Sequence, residues 1–154
     1  MTDWKNPPKL FIPGPVHSTP EVLEQLSRYT VGHRAKEYSQ LHGETVDMLK
    51  KVLFTDQNVF LSTSSGSGGW ECSMRNLVGE GEKVLCCMCG AFSDKYASVA
   101  KGCGVAYDEL KVDWGRATTA EMIDKKLATG EYSAVTFVYN ETSTGVTNPV
   151  EEIS

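Results

Sequence analysis

The chain has 154 residues, 40% of them hydrophobic and 23% charged, with a formal net charge of −5 at pH 7, enough for one globular domain with a real core. That acidic balance, with no basic stripe to offset it, argues against nucleic acid or an anionic membrane surface as a partner. No apolar run approaches the roughly 18 residues of a membrane helix and the first residues lack the apolar stretch of a secretory leader, so a cytoplasmic protein with no membrane association is expected.

Residues 1–19 contain Pro7, Pro8, Pro13 and Pro15 and read as an extended N-terminal arm, in which Gly14, between two prolines, lets the backbone approach a neighbour closely. From 20 to 154 the pattern is that of an α/β domain. Thr19-Pro20-Glu21 supplies an N-cap, a first-turn proline and an acidic first turn, opening a helix to about residue 29 with Val22, Leu23 and Leu26 inward. Gly32-His33-Arg34 follows; an exposed ion pair or a contact with a second subunit explains His33 and Arg34 better than chemistry does. A helix over about 37–54 carries the stripe Leu41, Thr45, Met48, Leu49, Val52 and Leu53.

The stretch 58–76, NVFLSTSSGSGGWECSMRN, organises the rest. A short β-type run, Val59-Phe60-Leu61, feeds a Ser/Gly-rich loop, and a helix is predicted from about Trp70 to Val78. Small residues admit a ligand to the backbone, and the free N–H groups and dipole of a helix start favour an anion such as phosphate. Neither the dinucleotide fingerprint nor the P-loop pattern is met, since Glu71 stands where a third glycine would fall and no Gly-Lys-Ser/Thr occurs. A flexible Ser/Gly turn is the competing reading.

The apolar run over 83–89 predicts a strand buried on both faces. A helix over about 92–101, a strand over 105–112, a helix over 118–129 and a strand over 134–139 follow, the last ending in the polar loop Asn140-Glu141-Thr142-Ser143-Thr144-Gly145. Alternating strands and helices imply a mostly parallel sheet flanked by helices, with ligands beyond the C-terminal ends of its strands. The five cysteines, Cys72, Cys86, Cys87, Cys89 and Cys103, are odd in number and read as reduced, buried thiols. Cys86-x-x-Cys89 has redox or zinc spacing but lies in a strand without a second ligand pair, so a structural role is favoured and no metal is expected.

Phe11-Ile12-Pro13-Gly14-Pro15, the stretch from Ser65 to Glu71 with Asn76-Leu77, and the 140–145 loop, in that order, resemble the class V, fold-type I aminotransferases that use pyridoxal 5′-phosphate. The likeness is to the alanine/serine–glyoxylate and serine–pyruvate branch. The resemblance implies that Ser65, Gly66 and Ser67 hold the cofactor phosphate and that Phe92 stacks on its pyridine ring. It further implies that Ser143 and Thr142 reach the ring's phenolic oxygen and that Gly14 lines the substrate carboxylate site. A core role for Phe92 and a turn-capping role for Thr142 and Ser143 are the alternatives. Glu71 and Asn76 match the helix after the phosphate turn.

The same resemblance implies a partial large domain, a homodimer, and amino-group transfer from a small amino acid (serine or alanine) to a 2-oxo acid, glyoxylate or pyruvate. It places the pyridinium-pairing Asp and the Schiff-base lysine beyond Ser154, so the isolated chain is expected to be inactive and none of its residues is assigned as catalytic. Alternatives are a lyase or desulfurase using the same cofactor, or a non-catalytic phosphate-ligand binding module or subunit.

Overall fold

The computed structural model describes residues 8–154, so the part of the arm over 1–7 lies outside the described residues. The chain divides into two compact units, 1–62 and 63–154. In the first, Pro20 opens α1 (Pro20–Leu26) behind the extended Thr19, and α2 spans Lys36–Val52. α1 ends three residues before the expected position. Most of the side chains expected inward are exposed, Val22, Leu23 and Leu26 on α1 and Leu41, Met48, Val52 and Leu53 on or just after α2, while Thr45 and Leu49 are half-buried. Two amphipathic helices without a covering layer cannot bury their apolar stripes. Val59-Phe60-Leu61 forms no strand, since a strand needs a partner for its ladder bonds and this unit holds no other strand among the described residues.

The second unit is built on β1 (Lys83–Met88), the middle strand of a parallel sheet of order β2-β1-β3, with β2 at Ala106–Lys111 and β3 at Ala134–Thr136. Side chains alternate across a strand, so β1 serves two cores. Val84, Cys86 and Met88 pack with Met74 of α3 (Gly66–Leu77) and with Ala97 and Ala100 of α4 (Ala91–Gly102). Leu85 and Cys87 pack on the other face with Ile123 of α5 (Ala120–Leu127). The expected strand buried on both faces is thus realised, and Leu85 and Val84 are fully inaccessible.

The connections explain why the helices lie on opposite faces. From β1 the chain passes through α4 to β2 on one side, then through α5 back past β1 to β3 on the other. Parallel crossovers share one hand, so reversing direction puts the second helix on the opposite face. The reversal makes the C-terminal ends of β1 and β3 a topological switch point, where open α/β sheets receive ligands.

β3 is only half as long as the sequence pattern indicates. Beyond Thr136 the backbone leaves the ladder: Val138 O accepts a bond from Asn148 Nδ2 at 2.6 Å and Tyr139 O one from Asn148 N at 2.8 Å. Residues 140–145 are likewise not a plain loop but the start of an antiparallel hairpin, β4 (Asn140–Glu141) with β5 (Val146–Thr147), turned at Gly145 with φ 73°. A short helix, α6 (Val150–Ile153), follows. No helix among the described residues is long and apolar enough to cross a membrane.

Candidate functional site

α3 begins at Gly66, four residues before the expected start, so the supposed Ser/Gly loop is partly the first turn of a helix. Gly66 and Ser67 are tolerated there because first-turn residues sacrifice little intrahelical bonding. Ser65, the N-cap, is extended at φ −75° and ψ 168° and makes no side-chain capping bond. Gly68 N donates to Ser65 O at 2.9 Å, closing the first turn. The amides of Gly66 and Ser67 precede that bond, have no intrahelical acceptor and lie at the positive end of the helix dipole.

Steric demand separates these glycines. A Cβ on Gly68 would lie 2.8 Å from both Cβ and Oγ of Ser64, so packing within the chain requires that glycine. A Cβ on Gly66 or Gly69 would meet nothing within 4 Å.

α3 and α4 run side by side in the same direction. Around their middles Trp70 stacks on Tyr96 with ring centroids 5.1 Å apart, and the Ser73 and Tyr96 hydroxyls are 2.6 Å apart. Towards their ends Val78 and Cys103 pack on the same core. Both N-termini therefore point the same way, and α4 starts directly after β1, at the C-terminal edge of the sheet.

The two helix starts differ in what fills them. Gly90, the N-cap of α4, has no side chain to cap with, and the hairpin supplies the acceptors instead. Ala91 N donates to Ser143 Oγ at 2.9 Å, Phe92 N to Glu141 Oε1 at 3.2 Å and Ser93 N to Glu141 Oε2 at 2.9 Å. Glu141 is fully buried. Burial pushes its carboxyl up, but hydrogen bonds from Ser143, from the Ser93 and Phe92 backbone and from the Ser93 hydroxyl outweigh that and leave its pKa below the ordinary value. A Cβ on Gly90 would stand 2.5 Å from Glu141 Cγ and 2.6 Å from Ser143 Oγ. The end of α4 is thus closed by the chain's own anion, whereas that of α3 has amides and no side-chain cap.

Of the residues singled out from sequence, Phe92 is in the first turn of α4 and 42% exposed. Ser143 lies beside it, its hydroxyl donating to Glu141 Oε1 at 2.7 Å while accepting from Ala91 N. Thr142 is exposed in the hairpin turn next to Ser143. Ser65, Gly66 and Ser67 form the start of α3. Gly14 lies in an exposed bend of the first unit and is described with that unit alone. Glu71 and Asn76 are exposed on α3, Glu71 paired with Arg75 at 2.8 Å and Asn76 Nδ2 bonded to Cys72 O at 2.7 Å.

Sequence reasoning passed over Glu141 and Asn148. Asn148, 1% exposed, accepts from Thr118 N through Oδ1 at 2.7 Å and donates through Nδ2 to Val138 O and to Cys89 Sγ. It holds the chain after β3 against the end of β1, and nothing in its local sequence signalled that role. All five cysteines are free; Cys86, Cys87 and Cys89 are buried as expected, while Cys72 is exposed and Cys103 half-buried. The Cys87 thiol is pushed up to about 12 by burial, with the neighbouring Cys86 and Cys89 adding to the effect. Among the described residues no group of three or more acidic, cysteine or histidine side chains could hold a metal.

The donor set at the start of α3, two backbone amides on a helix dipole with Ser65 and Ser67 beside them, fits a phosphate group and thus the phosphate of pyridoxal 5′-phosphate. No protein-family model matches the sequence. The chain is 39% identical over 145 residues to an uncharacterized aminotransferase of Methanocaldococcus jannaschii, covering 94% of this chain and 38% of that protein. It is 32% identical over 145 residues to a serine–glyoxylate aminotransferase of Methylorubrum extorquens, covering 92% of this chain and 36% of the relative. The fold superposes on an aspartate aminotransferase of subgroup IV from Thermus thermophilus with a TM-score of 0.86 at 28% identity, covering 95% of this chain and 41% of the other. The chain spans less than half the length of these proteins.

Proposed function

We infer that this chain, a relative of the fold-type I aminotransferases in sequence and in fold, forms the phosphate- and ring-holding part of a pyridoxal 5′-phosphate site in a transaminase. The observation that carries the reading is the contrast between the helix starts. At α4 an internal carboxylate takes the first-turn amides, whereas at α3 the N-cap makes no side-chain bond and Gly66 has open space around it. Gly66 and Ser67 amides with the Ser65 and Ser67 hydroxyls bind the phosphate. Phe92 offers a ring face and Thr142 a hydroxyl proton towards the phenolic oxygen, and Ser143, whose own proton goes to Glu141, offers that oxygen its remaining lone pair. Bound there, the cofactor supplies the electron sink for amino-group transfer, and the chain's residues hold and orient it.

The amino donor we assign is a small amino acid, serine or alanine, and the acceptor a 2-oxo acid, glyoxylate or pyruvate; Gly14 lines the carboxylate site. The arm 1–19 and the domain from 20 onward act within a homodimer in the cytoplasm. The 154 residues alone are inactive in this reading. None of the described lysines is buried, so none has the desolvating pocket that makes a lysine an imine-forming nucleophile.

The test is a titration of inorganic phosphate and of pyridoxamine 5′-phosphate, followed through the backbone amide resonances. Both ligands shift Gly66 and Ser67. Gly66→Val abolishes the shifts without lowering the melting temperature, because no atom of the chain lies within 4 Å of a Cβ there. Unchanged affinity in that variant would sink the phosphate assignment. The inactivity of the chain is checked by borohydride reduction in the presence of pyridoxal phosphate, which should leave no single lysine stoichiometrically labelled.

A further inference from the structure

Among the described residues Glu141 is the only fully buried acid, and its place is unusual. Its two oxygens divide their bonds between different parts of the fold. Oε1 receives Phe92 N at 3.2 Å, Ser143 N at 3.3 Å and Ser143 Oγ at 2.7 Å; Oε2 receives Ser93 N at 2.9 Å and lies 3.0 Å from Ser93 Oγ. A single carboxylate is therefore bonded to the helical turn that carries Phe92 and to the hairpin turn that carries Ser143. Ser143 Oγ completes the ring of bonds by accepting from Ala91 N at 2.9 Å. The positive end of α4 favours the ionised form, and charge-assisted bonds from rigid backbone amides leave it little freedom. Glycine at position 90 gives it room, since any Cβ there would overlap its side chain.

We propose that Glu141 is a positioning residue of the cofactor site: its buried carboxylate locks the first turn of α4 to the 141–143 hairpin turn and so fixes Phe92 and Ser143 relative to one another. The proposal rests on the reading above, in which those two residues receive the pyridine ring. Glu141 itself is buried beneath them and touches no ligand. Its action separates ring from phosphate, because the start of α3 takes no bond from the carboxylate. Disturbing Glu141 moves the ring contacts and leaves the phosphate contacts in place.

Glu141→Gln keeps the shape of the side chain but turns one of the two acceptor oxygens into a donor facing donors. Ser93→Ala removes a hydroxyl from Oε2 and leaves the carboxylate, while also taking the acceptor from Cys89 N and Gly90 N. Affinities for pyridoxamine 5′-phosphate and inorganic phosphate are measured on the purified protein and both variants, by the same amide titration. Pyridoxamine phosphate is chosen because it cannot react with lysines. In Glu141→Gln its binding weakens on the order of ten-fold, as is usual when a residue that orients ligand-binding groups is lost, while inorganic phosphate changes by less than about two-fold. Ser93→Ala shifts the same ratio in the same direction by less. Equal loss of both ligands would reduce Glu141 to a structural cap, and unchanged binding of both would overturn the proposal outright. Wild-type protein that shifts neither Gly66 nor Ser67 with either ligand would instead refute the phosphate assignment, and the positioning role would fall with it.

Discussion

Gly90→Ala is a one-methyl change whose consequence can be worked from the geometry. Gly90 has φ 172°, an extended conformation open to any residue, so alanine meets no backbone strain there. Less freedom in the unfolded chain would even stabilise the variant by about 0.4–1 kcal/mol. Against this, the new Cβ lies 2.5 and 2.6 Å from Cγ and Cδ of Glu141 and 2.6 Å from Ser143 Oγ. Overpacking of this kind costs about 1–3 kcal/mol. If the carboxylate is displaced, the amides of Phe92 and Ser93 lose their acceptor, at about 1–3 kcal/mol more. The net destabilisation is of the order of 3 kcal/mol. Glu141→Ala by itself costs a similar amount, about 3–5 kcal/mol, by stranding the same donors. With Cγ and Cδ gone, however, adding Gly90→Ala should cost less than about 1 kcal/mol, because only the rotatable Ser143 hydroxyl remains in the way. Urea unfolding of the wild type, both single variants and the double variant, followed by far-UV circular dichroism, gives the coupling directly. We expect about 2 kcal/mol of non-additivity. Additive effects, within about 0.5 kcal/mol, would refute the argument that Gly90 is glycine because of Glu141.

The pH dependence of Glu141 has a definite sign. Its folded pKa lies below that of an ordinary glutamate, so its stabilisation is fully present above the unfolded-state pKa and is lost as pH falls through the folded-state pKa. The stability gap between wild type and Glu141→Gln, measured by urea unfolding, should thus be constant from neutral pH down to about 5 and narrow below it; a gap that widens with acid would contradict this. Thiol reactivity should follow burial: a thiol reagent modifies exposed Cys72 first under native conditions, and Cys87, with its thiol pushed up to about 12, reacts only on unfolding. Peptide mapping of the modified protein tests that order, which a fast-reacting Cys87 would overthrow.

The sequence by itself determined the elements whose signals are local. The apolar run of β1 could only be a strand covered on both faces, and two threonines, Thr118 and Thr119, stood ready to cap the helix predicted over 118–129, of which the structure uses Thr119, accepting from Met122 N at 3.3 Å. Pro20 likewise marked the start of α1. The Ser65–Ser67 turn and the 140–145 stretch were legible as places of interest because small and polar residues next to predicted strand ends are conspicuous, whereas Phe92 was singled out only by the resemblance to the aminotransferases. Tertiary structure decided what depends on partners far along the chain. Val59-Phe60-Leu61 has β-type residues but no strand to pair with, and the apolar stripes of α1 and α2 are exposed for want of a covering layer. β3 stops at Thr136 because Asn148, ten residues beyond Val138, takes the backbone carbonyl that a longer strand would have used in its ladder. A glutamate in a polar stretch gives no local sign that it will be buried. Glu141 becomes so because the return from β3 brings it to the start of α4, 48 residues from Ser93, where unsatisfied amides and a glycine without a side chain make a buried carboxylate favourable.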